Sequence, residues 1–502
     1  MKTIKFKYLF IAAALVSLGS CSEEFVNVTP KGSFLSDNYY ANEEQATAAL
    51  VGVYDPIRKN SGGFENIISM MNAGSDDFYA GGGGATDGAG IQGFSIHKLT
   101  ATTVPESFWN DHYQGIFRAN TLLLKLPNVA MADNLKVRFE AESKALRAIY
   151  YFNLVRIFKN VPLLLSPLTA TNMYDVEQSA PEAVYVQIEK DLSEAITVLP
   201  TSAPAATESG RLTKGAAQAM LGKVYLYEGK KTEAAAVLAQ VNGTPGATNQ
   251  YGNKLLSNFK DLWVVANKFN TESIIEVSHT SAGNSDWGFW GSGRDEGNSL
   301  NVMVGPRSYS RPSGSAAADL PSGWSFNVIT QDLYDAIKLD PRFGATIFDL
   351  KALKAAGQAD YIGGYQDTGY FLNKFLPRKT DVRTGGGAAE LNYRQNTYVI
   401  RLADTYLMEA EALGSGARAQ ALLDAVRARV GLPSVPVTLG AIKNERRMEL
   451  AGEGHRFFDL VRWGDAATKL ANRGFVAGKD EIFPLPTREL QGTKLKQNPG
   501  YN

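Results

Sequence analysis

Four histidines, His97, His112, His279 and His455, and one cysteine, Cys21, are the residues best suited to metal or nucleophilic work. Their spacing argues against both. No histidine pair has a ligand spacing such as HExxH, so no metal site is expected. Gly88-Ala89-Gly90-Ile91-Gln92-Gly93 satisfies GxGxxG in form. A dinucleotide site also needs a strand before that motif and a helix after it, and the flanking sequence suggests neither. The Gly81–Gly84 run lacks the following Lys-Ser/Thr of a phosphate loop, and no GxSxG elbow occurs. Asp76 and Asp77 are the residue type a glycosidase uses. Such carboxylates must face each other across a bond at about 5–10 Å, which adjacency in sequence does not provide. No catalytic residue, cofactor or metal is assigned, and the chain reads as a non-enzyme.

The aromatic residues of the loops suggest binding chemistry instead. A sugar ring presents an apolar face of C–H groups that a flat indole or phenol covers well. Its hydroxyls need partners such as Asn, Asp or Arg at the rim. Residues 284–327 supply both kinds: Trp287, Trp290, Tyr309 and Trp324, with Asn284, Asp286, Arg294, Asn301 and Arg307. Asp76, Asp77, Phe78 and Tyr79 form a second cluster of the same composition. The candidate ligand-binding set is Trp287, Trp290, Trp324, Tyr309, Asp76, Asp77, Phe78, Tyr79 and Arg307. The competing expectation is that each aromatic fills a small core beneath its own loop.

Helices must carry these loops. Apolar residues recur at helical spacing in 42–58, 106–126 and 135–158, the last halted by Pro162. Thr213 to Val241 has Leu221-Gly222-x2-Tyr225, then Ala234 and Leu238, which fits a tetratricopeptide-like hairpin with Gly229 in its turn. Residues 400–430 form a looser copy. Three stretches, 60–104, 279–326 and 357–397, break the helical pattern with Gly, Ser, Asn and dense aromatics. Long loops in a compact chain are functional or disordered, and this aromatic content disfavours disorder. The expected fold is mainly α: a tetratricopeptide-like helical-hairpin scaffold whose long, irregular, loop-rich insertions form the ligand face.

The N-terminus sets the compartment. Lys2, Lys5 and Lys7 precede the apolar run Tyr8–Leu18, and Gly19-Ser20-Cys21 follows, in the manner of a bacterial lipobox. The reading is a signal peptide over 1–20, lipid on Cys21, and a tether over 21–41. Ser22-Glu23-Glu24 resembles an acidic signal for display on the outside of the outer membrane. The eleven-residue apolar run is too short to span a bilayer. Removing the first twenty residues takes three lysines, leaving 48 basic against 51 acidic residues. That near-neutral balance argues against a nucleic-acid surface.

The C-terminal third carries a specific resemblance. Ala441–Gly464 reads AIKNERRMELAGEGHRFFDLVRWG, and the end contains Ile482-Phe483-Pro484-Leu485-Pro486 and Gln497-Asn498-Pro499-Gly500-Tyr501. Earlier come Phe108–Asn120, Ala141–Leu163 and Tyr398–Leu413. These stretches, in this order, resemble the SusD/RagB family of outer-membrane nutrient-binding lipoproteins. The resemblance implies an outward-facing, lipid-anchored protein that captures an oligo- or polysaccharide. It also implies a SusC-like TonB-dependent transporter barrel as partner. Peptide capture, as in the RagB branch, and a surface glycoside hydrolase are the alternatives. The expected organisation is a helical region over 42–278, ligand-binding insertions over 279–397 and a C-terminal helical region over 398–502. Glu445, Arg446, Arg447, Glu449, Glu453, His455, Arg456 and Arg462 are crowded among Phe457, Phe458 and Trp463, which suggests a buried ion-pair network.

Overall fold

The structure, a computed structural model, describes residues 39–283, 285–288, 290 and 295–501. Cys21 and most of the tether lie outside the described residues, as do Asn284 and Arg294.

Helix α1 (Glu43–Tyr54) starts where the Asn42 side chain accepts from the Gln45 N–H. The 60–104 stretch is not the irregular loop its composition suggests. It contains α2 (Ile67–Ala73), β1 (Phe78–Gly81) and α3 (Ala89–Ser95), with most side chains buried. The GxGxxG glycines sit inside α3, which Gly88 opens in the left-handed region (φ 75°). A Cβ on Gly90 would come within 2.9 Å of Pro105, so this glycine allows close packing.

The scaffold follows: α4 (Ser107–Lys125), α5 (Asp133–Phe158), α6 (Pro181–Val198), α7 (Lys214–Tyr227) and α8 (Lys231–Asn242). Each packs on the next. The α7–α8 hairpin is the one the spacing predicts. A Cβ on Gly222 would lie 2.4 Å from Leu238 Cγ, and Gly229 takes φ 77° in the turn. After β2 (Ser273–Val277), α9 (Ser299–Val304), β3 (Phe326–Ile329), β4 (Ile347–Asp349), β5 (Tyr370–Leu372) and β6 (Thr397–Arg401), helices return. These are α10 (Leu402–Leu413), α11 (Ala417–Arg429), α12 (Leu439–Glu449) and α13 (Arg456–Arg462). Helix α8 packs on α10, and α10 on α11, which extends the row of helices.

The strands form three antiparallel pairs, β1–β3, β2–β6 and β4–β5. Strand β2 thus pins the end of the first helical row to the start of the last. The main core runs from Ala46 and Leu50 through Tyr150, Phe152 and Phe158 to Phe483 and Leu485. A second core lies under the insertions and holds Phe78, Leu300, Tyr309, Phe348 and Phe371.

The charged C-terminal stretch is the buried network expected. Arg342 Nη1 reaches Glu445 (2.6 Å) and Glu449 (2.9 Å). Arg401 bridges Glu449 (2.6 Å), Glu453 (2.8 Å) and Glu272 (2.8 Å), and Arg429 also pairs with Glu449. Burial opposes ionisation of Glu449, but Arg429, Arg401 and Arg342 outweigh it and hold its carboxyl well below the usual range. Arg446 joins Asp404 (2.7 Å) to Asp459 (2.9 Å), tying α12 to α10 and α13.

Candidate functional site

Three indoles meet at the surface of the insertion region. Trp324 precedes β3, and its backbone N–H donates to Val302 O of α9 (2.9 Å). The chain can pass this close because Gly323 lies against Gly305; a Cβ on Gly323 would sit 2.4 Å from Gly305 Cα. Ser325 and Asn327 then take φ 59° and 53°, a left-handed conformation that costs a non-glycine residue energy. Tertiary contacts pin both: Ser325 N–H donates to Gly305 O (2.7 Å), and Asn327 Nδ2 donates to Ser69 O (2.9 Å).

Trp290 is held from the other end of α9. Its Nε1–H donates to Ser299 Oγ (2.9 Å), and Asn298 caps that helix by accepting from Leu300 N–H. Phe64 supports both indoles from below, with ring centroids 5.7 Å from Trp290 and 6.5 Å from Trp324. Phe326 braces Phe64 in turn (5.0 Å). Trp287 is outermost and 54 % exposed. It stacks on Trp324 (5.9 Å, interplanar 29°) and stands nearly perpendicular to Trp290 (5.7 Å, 82°).

Polar groups border the indoles. Arg307 Nη1 donates to Trp324 O (3.3 Å), leaving other guanidinium N–H groups at the rim. The Gly81–Gly84 run approaches it; a Cβ on Gly83 would be 3.3 Å from Arg307 Nη1. Asp87 accepts from Gly83 N–H (2.6 Å) and fixes that loop. Asp286 is exposed and accepts from Gly288 N–H (2.9 Å). The result is an angled aromatic surface with donors and acceptors around it, which suits a chain of sugar rings.

The structure therefore brings together Trp287, Trp290, Trp324 and Arg307 from the predicted set. The remaining members are spent internally. Tyr309 is 9 % exposed, lies in the second core and donates its hydroxyl to Ala318 O (2.6 Å). Phe78 is completely buried. Asp76 pairs with Arg456 (2.8 Å) and Asp77 with Arg447 (2.5 Å). Burial works against the Asp76 carboxylate, but Arg456 and Arg447 outweigh it and hold it below the usual range. At Asp77, burial and the charge of Asp76 push the carboxyl up. Tyr79 is half-buried with the Arg473 guanidinium 4.7 Å above its ring. Asn301 is buried and donates to Phe375 O and Gln395 Oε1.

Phe64 and the Gly81–Gly84 run are the contributors that composition alone did not single out. An aromatic directly after Ser61-Gly62-Gly63 is the signal that could have found Phe64. Glu449 and Glu453, beside His455, are committed to arginine and lysine partners. Burial keeps the His455 imidazole neutral by pushing its pKa down to about 4.

Comparison with known proteins agrees with this architecture. Residues 330–501 match the SusD family, and residues 86–226 match a family described as starch-binding and associating with the outer membrane. A solved structure of a laminarin-binding SusD-like protein is 64 % identical, covers 92 % of this chain and all of its own, and superposes with a TM-score of 0.90. Surface glycan-binding protein A from Bacteroides thetaiotaomicron, in complex with laminarihexaose, is 25 % identical over 91 % of this chain and 100 % of its own (TM-score 0.80). A SusD-like protein of Formosa agariphila is 26 % identical over 96 % of this chain and 95 % of its own length. Sequence motifs, helical scaffold and these likenesses coincide, and the chain belongs to the SusD/RagB family.

Proposed function

We propose that this protein captures a laminarin-type glucan on the Trp287–Trp290–Trp324 platform. The observation that carries the reading is the mutually supported indole trio, Trp287 exposed and Trp290 and Trp324 half-buried, bordered by Arg307. The 64 % identity to a laminarin-binding SusD-like protein supports the choice of ligand class. An indole at an angle to its neighbour can cover successive rings of a curved chain, whereas coplanar indoles suit a flat one.

In this reading Cys21 carries the lipid, the tether holds the body at the outer face of the outer membrane, and the captured glucan passes to a SusC-like TonB-dependent barrel. A binder that hands its ligand on needs contacts that release as readily as they form, which stacking and rim hydrogen bonds provide. Isothermal titration with laminarihexaose and with maltohexaose tests the ligand class. Binding of the former alone is expected, and equal binding of both, or of neither, refutes it. Release of reducing ends from laminarin by the purified protein would instead favour a hydrolase. Co-purification of a barrel protein with the Cys21 form, lost in Cys21→Ala membranes, tests the anchoring and the partner together.

A further inference from the structure

A cleft of about 470 Å³ lies behind α9, lined by Trp263, the segment after β5 and residues just before β6. That volume is in the range of small-ligand pockets, about 300–1,000 Å³. Lys260, Arg378 and Arg394 line it, with Asp381 as the acid among them. None of the three cations forms an ion pair among the described residues. Arg378 donates to neutral acceptors, Leu376 O (2.9 Å) and Asn373 Oδ1 (3.0 Å). Asp381 accepts from the Arg378 backbone N–H (3.0 Å).

The fully buried cations Arg342, Arg401 and Lys374 each meet a glutamate. In the cleft Arg378 is half-buried, and Lys260 and Arg394 are exposed and open to a ligand. The Trp263 indole also lines the cleft, and its buried Nε1–H has no acceptor among the described residues. Buried indole N–H groups normally find a partner. The Trp263 N–H is the unmet donor, and three cations without a carboxylate partner around it favour an anionic acceptor over a neutral one. Val264 and Leu376 add apolar wall of the kind a sugar's C–H face prefers.

We propose that this cleft is a second saccharide site, distinct from the indole platform, that takes a sugar bearing a carboxylate or sulfate. The anion accepts from Arg394, Lys260 and the Trp263 Nε1–H while the ring lies against the indole and Val264. Helix α9 touches both sites. Ser299 accepts from Trp290, and Asn301 donates to Gln395 (2.6 Å), whose side chain lines the cleft. An acidic branch or terminus on a glycan would then be held apart from its neutral backbone.

The test is isothermal titration of the full mature protein with three probes: a glucuronate-terminated disaccharide, its 6-sulfated glucose counterpart and the neutral disaccharide. At least one acidic probe is expected to bind about tenfold or more tightly than the neutral one, and to weaken as salt is added. The tighter of the two identifies the anion. Arg394→Ala removes an exposed side chain without disturbing the core and is expected to weaken the acidic probe by about tenfold. Trp263→Phe keeps a ring but removes the N–H, and is expected to weaken it several-fold. Trp287→Ala is expected to leave it unchanged. Equal binding of acidic and neutral probes overturns the proposal, as does retention of full affinity in Arg394→Ala or its loss in Trp287→Ala. Should Trp263→Phe fail to fold, Arg394→Ala decides alone.

Discussion

What a tryptophan does here depends on which of its atoms meet solvent. Trp290 is fastened by its N–H to Ser299 and by its ring to Phe64, whereas Trp287 is fastened by stacking alone and is 54 % exposed. Trp287→Ala should therefore weaken laminarihexaose by about tenfold or more while leaving the melting temperature within about 1–2 °C, since no core contact is lost. Unchanged affinity would remove the platform from the mechanism. Tyr309 has the opposite pattern. Its hydroxyl donates to Ala318 O inside the second core. Tyr309→Phe should cost about 1 kcal/mol in denaturant unfolding and leave glucan binding untouched. Both residues are loop aromatics within a glycine-rich stretch, so composition ranked them alike. Burial separated them.

Helix α12 and the Gly305–Gly323 crossing show how elements fix the site. On α12, Glu449 faces Arg342, Arg401 and Arg429 at once. Replacing it with Gln leaves three guanidinium groups short of one negative charge in a dry interior. The expected loss is about 3–5 kcal/mol in urea unfolding, a cost characteristic of breaking rather than replacing a buried pair. Glu449→Gln protein that remains folded should still bind glucan, because α12 does not touch the platform. At the crossing, Gly323→Ala would drive a Cβ into Gly305 backbone, which cannot rotate away as a side chain can. Affinity should fall by about tenfold through displacement of Trp324, with a matching change in near-ultraviolet tryptophan dichroism. An unaltered tryptophan signal would disprove that account. The scaffold hairpins were readable from the 3.6-residue period and from Gly222 and Gly229. The short strands were not, because β1, β4 and β5 are three or four residues long and gain their partners only from distant chain.

The molecule as a whole responds to acid through groups spread over every region. Burial pushes His97, His112, His279 and His455 down to about 4 from an ordinary 6.5. Between those values the unfolded chain holds more protons than the folded one. Stability must then fall as pH drops from about 6.5 to about 4, and stay flat with respect to these groups above that window. The network carboxylates act in the same direction. Asp404 and Glu449 are held below their usual range, so their contribution is present above it and is lost as pH falls further. The urea midpoint should decline steadily between neutral pH and about 4.5, and a constant midpoint would contradict this. A protein built this way keeps its scaffold at neutral pH and loosens in acid without any single switch residue.

The chain's order alone determined the helical class, because apolar periodicity and turn glycines act within a few residues of each other. It also carried the resemblance of the C-terminal stretch and suggested that its charges are buried, since acids and bases of matching number among aromatics can pair away from water. Which loop aromatics face outward was decided only by tertiary structure. Trp287 and Trp324 are separated by 37 residues and meet because α9 and the Gly305–Gly323 contact fold one loop onto the other. Asp76 and Asp77 were withdrawn from the surface by Arg447 and Arg456, some 370–380 positions away. Local periodicity carries no record of such pairings, which depend on the free energy of the whole packed chain.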